Sequence, residues 1–158
     1  MAETMTDLKA LIEAEKLRIE DPTKDSVTIA LGGEKILVEV TKLHPNAWTE
    51  LTSRHAPRSN VAGDGRLGFN QATLPSDYPV ERIKIDGDPV DKDTWVQMYA
   101  VLDVAHRNSL NALMWGLNVY AAVLELAALG KAPAGRSSGS PANRGSRRAA
   151  SKGASRQK

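Results

Sequence analysis

Gly63-Asp64-Gly65-Arg66-Leu67-Gly68 spells the glycine pattern with which dinucleotide-binding proteins approach a pyrophosphate. That chemistry needs a strand before the glycines and a long helix after them, so that main-chain N–H groups meet the phosphates. Neither is expected here. Pro57, Gly63, Gly65 and Gly68 interrupt residues 56–68, which read as an irregular, flexible loop. A second stretch, with Asp86, Asp88, Asp91 and Asp93, resembles a calcium loop. Such a loop requires Gly at its sixth position and a bidentate Glu at its twelfth. Counted from Asp86, those positions hold Asp91 and Gln97, so the match fails. A turn followed by acids favoured at a helix N-terminus accounts for the same residues. His44, His55 and His106 are scattered, and the chain has no cysteine, which excludes a thiolate metal site, a disulfide and a cysteine nucleophile. His44 beside Pro45 reads as a helix-start residue. No Gly-x-Ser-x-Gly elbow is present. No catalytic residue, cofactor or metal is assigned, and the chain is expected to bind rather than catalyse.

The elements around these residues are legible from periodicity. Thr6 precedes a helical pattern of Leu8, Leu11, Ile12 and Ile19, and is expected to cap a short, partly exposed helix. Val27, Ile29 and Leu31 alternate with smaller or polar residues, as do Ile36, Val38 and Val40 after Gly32-Gly33. Two alternating runs around Gly-Gly predict a β-hairpin paired between Val27 and Thr41. Pro45 opens a short helix in which Trp48 and Leu51 share a face. Asn70 is expected to cap a helical turn reaching Tyr78. Val80, Ile83 and Ile85 suggest a short extended piece that runs into a turn at Asp86-Gly87-Asp88-Pro89. A helix with Trp95, Met98, Val101 and Leu102 on one side follows. The longest helix is expected from about Asp103 to Leu129, with Leu110, Leu113, Met114, Leu117, Ala121 and Leu124 as its apolar stripe. Gly130 suits its C-terminal cap, and Pro133 prevents resumption. The fold class expected is α+β: a hairpin packed against a mainly helical domain, with Ile29, Val38, Trp48, Trp95, Leu113 and Leu117 in the core.

Charge divides the chain. Residues 1–130 carry 13 Lys/Arg and all 19 Asp/Glu, a net of −6, whereas residues 131–158 carry 8 Lys/Arg and no acid, a net of +8. The basic segment holds no large apolar residue and is expected to be disordered. Three parts follow: an N-terminal helix or arm over 1–25, a globular domain over 26–130 and a basic tail over 131–158. Nucleic acid is a candidate partner only through that tail. The first sixteen residues are too charged for a signal peptide, and no apolar run approaches the roughly 20 residues of a membrane span. A soluble, intracellular chain with no membrane partner is expected.

The three tryptophans at helical spacing with Leu and Met suit a core, and also a groove for a partner. Asn111 and Asn118, seven apart on the last helix, are either exposed edge residues or buried groups that need partners.

Several stretches are familiar together: LHPNAWTELTSRHAPR, LGFNQATLPSDYPV, IDGDPVDKDTWVQMYAVL and NALMWGLN. They hold a Trp-x-x-Leu helix (Trp48, Leu51), a His-x-Pro-Arg loop (His55, Pro57, Arg58), a Gly-Phe-Asn turn (Gly68, Phe69, Asn70), a second Trp helix (Trp95) and a Trp-x-Leu-Asn helix (Trp115, Leu117, Asn118). Over about residues 26–130 the chain resembles the tail assembly chaperones of long-tailed bacteriophages (siphoviruses), in particular those of actinobacteriophages. The resemblance implies a non-enzymatic factor of the host cytoplasm, absent from the mature virion. It would bind the tape measure protein, keep it soluble and promote tail tube assembly, with self-association a further candidate interaction. Adaptable Trp and Met anchors would suit such a client, which points to Trp95, Met98, Met114, Trp115 and Asn118 as candidate client-binding residues. The family often also makes a longer form by ribosomal frameshifting, and that form would reach the major tail protein. Gly130-Lys131 can be encoded on a slippery run and is the candidate frameshift position. The alternatives are a structural or head–tail joining protein retained in the virion, and a small nucleic-acid-binding protein that uses the basic tail.

Overall fold

The computed structural model describes residues 2–130, with side chains from Thr4 onward. The fold is α+β, as expected. Helix α1 (Ala2–Glu20) leads into strand β1 (Lys24–Leu31) and strand β2 (Glu34–Thr41). Gly32 and Gly33 have φ of 58° and 81°. That pair of positive values matches the right-handed twist of the hairpin, and glycine reaches it without Cβ strain. The pairing is continuous from Lys24↔Thr41 to Leu31↔Glu34. Ile29, Val38 and Val40 are buried on one face, while Thr28 and Leu37 point to the other and are exposed.

The hairpin belongs to a larger antiparallel sheet of order β1-β2-β3-β4. Strand β3 (Ile83–Ile85) sets Ile83 beside Val40 and Ile85 beside Val38. Asp86 and Gly87 turn the chain with φ of 49° and 86°. Strand β4 (Asp88–Pro89) closes the sheet, with Pro89 at the edge, where no ladder bond is asked of its nitrogen. The Asp86 carboxylate also accepts from the Leu37 N–H at 2.8 Å.

Helices cover the inner face. Helix α2 (Pro45–Arg54) starts at His44, whose Nδ1 accepts from the Asn46 N–H at 3.0 Å, so His44 is a helix-start residue. Two short helices, α3 (Ala62–Leu67) and α4 (Leu74–Asp77), follow. Helix α5 (Lys92–Val101) is capped by Asp91, which accepts from the Thr94 N–H and hydroxyl. Helix α6 (Val104–Trp115) continues through a π-helical turn (Gly116–Tyr120) into α7 (Ala121–Gly130). The core holds Ile29, Val38, Val40, Leu51, Phe69, Tyr78, Trp95, Tyr99, Leu110, Met114 and Leu117. Its polar tips reach main-chain carbonyls: the Trp95 indole N–H donates to Pro75 O, the Tyr78 hydroxyl to Thr41 O and the Tyr99 hydroxyl to Gln71 O, each at 2.7 Å.

Several expectations need correction. Helix α1 begins at Ala2 rather than beside Thr6, so Thr6 lies inside it. Residues 62–67 form an ordered helix, not a flexible loop. Asn70 turns the chain by accepting from the Ala72 N–H, and the helical turn begins later, at Leu74. In α5 the buried residues are Trp95, Met98 and Tyr99, with Leu102 buried just past its end, while Val101 is 71 % exposed because it lies off the face that Trp95, Met98 and Tyr99 share at 3–4 spacing. Trp48 and Leu113 are only partly buried at the core's margin. Strand β1 starts at Lys24, two residues ahead of the boundary drawn at 26. Val104–Gly130 is, by length and composition, apolar enough to cross a membrane, which the sequence reading had excluded. Its first half, with Leu110, Asn111, Met114 and Leu117, is a wall of the core. The expected disorder of residues 131–158, and the chain beyond Gly130, lie outside the described residues.

Candidate partner-binding surface

The groups with chemical potential are used for structure. Asp64, at the centre of the Gly-rich motif, is fully buried. It accepts from Arg58 Nε at 2.8 Å, Arg58 Nη2 at 3.1 Å and the main-chain N–H groups of Arg58 and Gln71. The Arg58 hydrogen bond leads the effects that hold its carboxyl at about 2. Gly68 ends α3 in the left-handed region with φ of 85°, and a Cβ on Gly63 would stand 2.7 Å from Gln71 Nε2. These glycines serve a tight turn and a close approach, and no strand leads into them.

His55 sits between Thr73 Oγ1 at 2.8 Å from Nδ1 and Asp77 Oδ2 at 2.7 Å from Nε2. The order hydroxyl–imidazole–carboxylate resembles a nucleophile with its base. Asp77 is, however, shared with Arg54 and Lys92. Burial raises its carboxyl pKa, yet hydrogen bonds from His55, Lys92 and Arg54 outweigh that and bring it to about 2. The cluster ties the end of α2 to α4, and the grooves described below lie elsewhere. Among the described residues no three His, Asp or Glu converge as metal ligands.

The residues singled out for a client separate into two groups. Trp95 and Met114 are fully buried and Met98 is 7 % exposed, so these three present no surface to a partner; they belong to the core, where α5 packs on α4 and α6 on β1. Asn118 is a brace. Its Oδ1 accepts from the Leu43 N–H at 2.9 Å, and its Nδ2 donates to the Tyr78 hydroxyl at 3.1 Å and Met114 O at 2.8 Å. Burial drives the Tyr78 phenol to about 12, against the opposing pull of this Asn118 bond. Trp115 is partly exposed, as Asn118 is, and stacks on Tyr120 with centroids 5.0 Å apart and planes 22° apart. The π turn makes that stack by bringing residues five apart into line. Gly130 is the last residue of α7, and Lys131 lies outside the described residues.

A different surface stands out. In Ala121–Gly130 every residue is exposed, and Glu125 is the sole polar side chain. Val123, Leu124, Leu126 and Leu129 are 50–74 % exposed. A helix apolar all round is ordinarily buried. The last turn of α1 meets it, and farther up α1 Met5, Leu8 and Ile12 follow 3–4 spacing and are about half exposed. Arg18 joins the two helices through a two-pronged pair with Glu125, 3.1 Å on each arm. That bond raises the Arg18 pKa and lowers that of Glu125. A groove of about 320 Å³ between the start of β1 and the long helix, lined by Leu113, Leu117, Tyr120 and Leu124, extends this apolar face.

A second, more polar groove of about 270 Å³ lies between α3 and α6. Arg107 stacks over Tyr99 there, 5.4 Å from its ring centre. Asn111, 1 % exposed, donates to Gln71 O and Arg107 O, while its Oδ1 and the Arg107 Nε are buried without a hydrogen-bond partner. Comparison with protein-family models, with curated proteins and with solved structures finds no match for this chain.

Proposed function

We propose that this chain is a non-enzymatic assembly chaperone that binds an extended apolar helix of a client, the tape measure protein of a siphovirus tail, in the host cytoplasm. The observation that carries the reading is α7: ten residues, one polar side chain and no cover among the described residues. A tape measure protein displays long apolar helical stripes until the tube encloses them, and such stripes aggregate unless shielded. A helix platform made by α7, α1 and the Trp115–Tyr120 stack offers a matching surface, in the manner of an amphipathic helix laid against an apolar groove. The sequence resemblance supplies the identity of the client. On this reading a longer frameshifted form, switched at Gly130-Lys131, keeps the whole α+β domain and exchanges only the segment after α7, through which it reaches the major tail protein.

The experiment is co-expression with a fragment of the tape measure protein. Wild-type chain is expected to raise the soluble fraction of the fragment. Leu124→Glu with Leu126→Glu, at positions already half or more exposed, is expected to leave thermal stability unchanged and abolish the effect. An unchanged soluble fraction with the wild-type chain contradicts the proposal, as does recovery of the chain in purified virions. The +8 charge of residues 131–158 favours a second reading, nucleic-acid binding. It predicts retention of DNA or RNA that falls steeply with salt.

A further inference from the structure

The polar groove between α3 and α6 is lined by a donor and an acceptor that the fold leaves unused. We infer that it is a binding site for a primary carboxamide, whose carbonyl takes the Arg107 Nε–H and whose amino group donates to Asn111 Oδ1. The groove shares no residue with α1, α7 or the Trp115–Tyr120 stack, so the inference stands apart from the client proposal.

Asn111 is 1 % exposed and lines this groove of about 270 Å³. Its neighbours fix which way its amide points. Nδ2 lies 3.2 Å from Gln71 O and 2.9 Å from Arg107 O, and main-chain carbonyls only accept, so the nitrogen belongs on that side. Nδ2 also lies 3.1 Å from the Tyr99 hydroxyl, whose own proton goes to Gln71 O. Oδ1 is therefore the free end, a buried acceptor with no partner. One helical turn earlier, Arg107 Nε is a buried donor with no partner. Buried polar groups are nearly always paired, so the two orphans mark a place for a bound group. Both residues line the groove from one face of α6, and a ligand that serves both must accept and donate along one edge. A carboxylate accepts twice and sets an oxygen against Asn111 Oδ1. A trans peptide group holds its C=O and N–H on opposite sides. A primary carboxamide holds a carbonyl and an N–H side by side. The other charges are already used, since Arg58 is bound to Asp64. Val104, 70 % exposed, gives the groove an apolar edge for the ligand's carbon stem. The groove lies just under the roughly 300–1,000 Å³ of small-molecule sites, so it suits one side chain or a small amide. Entry requires Arg107 to move. Among the described residues its guanidinium is held by one Nη2 bond to Ala100 O at 2.7 Å and by its stack on Tyr99, so it can lift and close over the amide.

The test is an NMR titration of the isotope-labelled full chain with three probes of similar size: propionamide, N-methylacetamide and sodium propionate. Propionamide is expected to shift the side-chain amides of Asn111 and Gln71 and the Arg107 Nε–H, saturating in the millimolar range. The other two probes are expected to bind about tenfold more weakly or worse, since each leaves one orphan unserved. Arg107→Lys keeps the charge and removes Nε. Val104→Trp, at an exposed position, obstructs the groove without touching the core. Both are expected to lose propionamide binding about tenfold or more, with unchanged thermal unfolding. The peptide acetyl-Ala-Gln-Ala-methylamide separates two sources of the same chemistry. Tighter binding than propionamide assigns the site to a glutamine side chain of a partner protein, and binding no tighter assigns it to a free small amide. Absence of a saturable response to propionamide overturns the inference, as does an equal response to propionate or a response indifferent to both substitutions. A long-lived water detected beside Arg107 Nε–H that no probe displaces also overturns it, and assigns the two orphans to a buried water only.

Discussion

Replacing Asn118 with Leu separates a brace from a binding residue. Leucine is close in size, so the change removes hydrogen bonds with little change in volume. Leu43 is 4 % exposed, and its N–H donates to Asn118 Oδ1 at 2.9 Å. Orphaning a buried N–H costs about 1–3 kcal/mol, and losing the donated bond to Tyr78 adds about 1 kcal/mol. The Tyr78 hydroxyl keeps its own bond to Thr41 O, so its share is the smaller one. A total of about 2–4 kcal/mol, divided by a urea slope of about 1–3 kcal/mol/M for small proteins, lowers the unfolding midpoint by roughly 0.7–4 M. Urea titration followed by tryptophan fluorescence reads this directly. A double-mutant cycle with Tyr78→Phe is expected to show coupling of about 0.5 kcal/mol or more, since the two side chains share a bond. A midpoint shift below about 0.3 M, against the cost of an orphaned N–H, would falsify the assignment of Asn118 as a brace and return it to the partner surface.

Asp64→Asn should destabilise by about 2 kcal/mol, because the carboxylate accepts two main-chain N–H groups and the Arg58 guanidinium, and urea unfolding measures it. The folded pKa values of Asp64 and Asp77, about 2, lie below the ordinary 3.8. Their stabilisation is therefore complete above 3.8 and lost as pH falls toward 2. A melting temperature that holds flat from pH 4 to 2 would contradict this. Tyr78 is shifted the other way, from 10.0 to about 12, so its contribution is present below pH 10 and disappears as pH rises through 12. Tyr78→Phe should flatten that alkaline limb in the same melting experiment.

The regular elements were readable in the sequence because each rests on a local pattern. Gly32-Gly33 between two alternating runs specifies the hairpin, and His44-Pro45 and Asp91 mark helix starts. The extended piece at Ile83 and Ile85 was legible, but its place in the sheet and the two-residue fourth strand were hidden, since elements this short carry no periodicity that names a partner. Only pairing with β2 makes Ile83–Ile85 a strand. The helix of residues 62–67 was missed for a related reason: Gly63 and Gly65 are poor helix formers, and Asp64 is held there by Arg58, a contact made by folding. Trp95, Met98 and Met114 were placed at a partner surface because residue type alone does not distinguish an anchor from a core side chain. The exposed platform had a signal in the sequence. AAVLELAALG holds one polar side chain in ten residues, too few for one face to turn to water.

The most direct measurement of the central claim is amide hydrogen exchange on the chain with and without the tape measure fragment. Binding through the helix platform predicts slowed exchange in Ala121–Gly130 and in α1 beyond what the chain shows alone, with the sheet and residues 62–77 unchanged. Unaltered exchange in Ala121–Gly130, together with protection elsewhere, would contradict it.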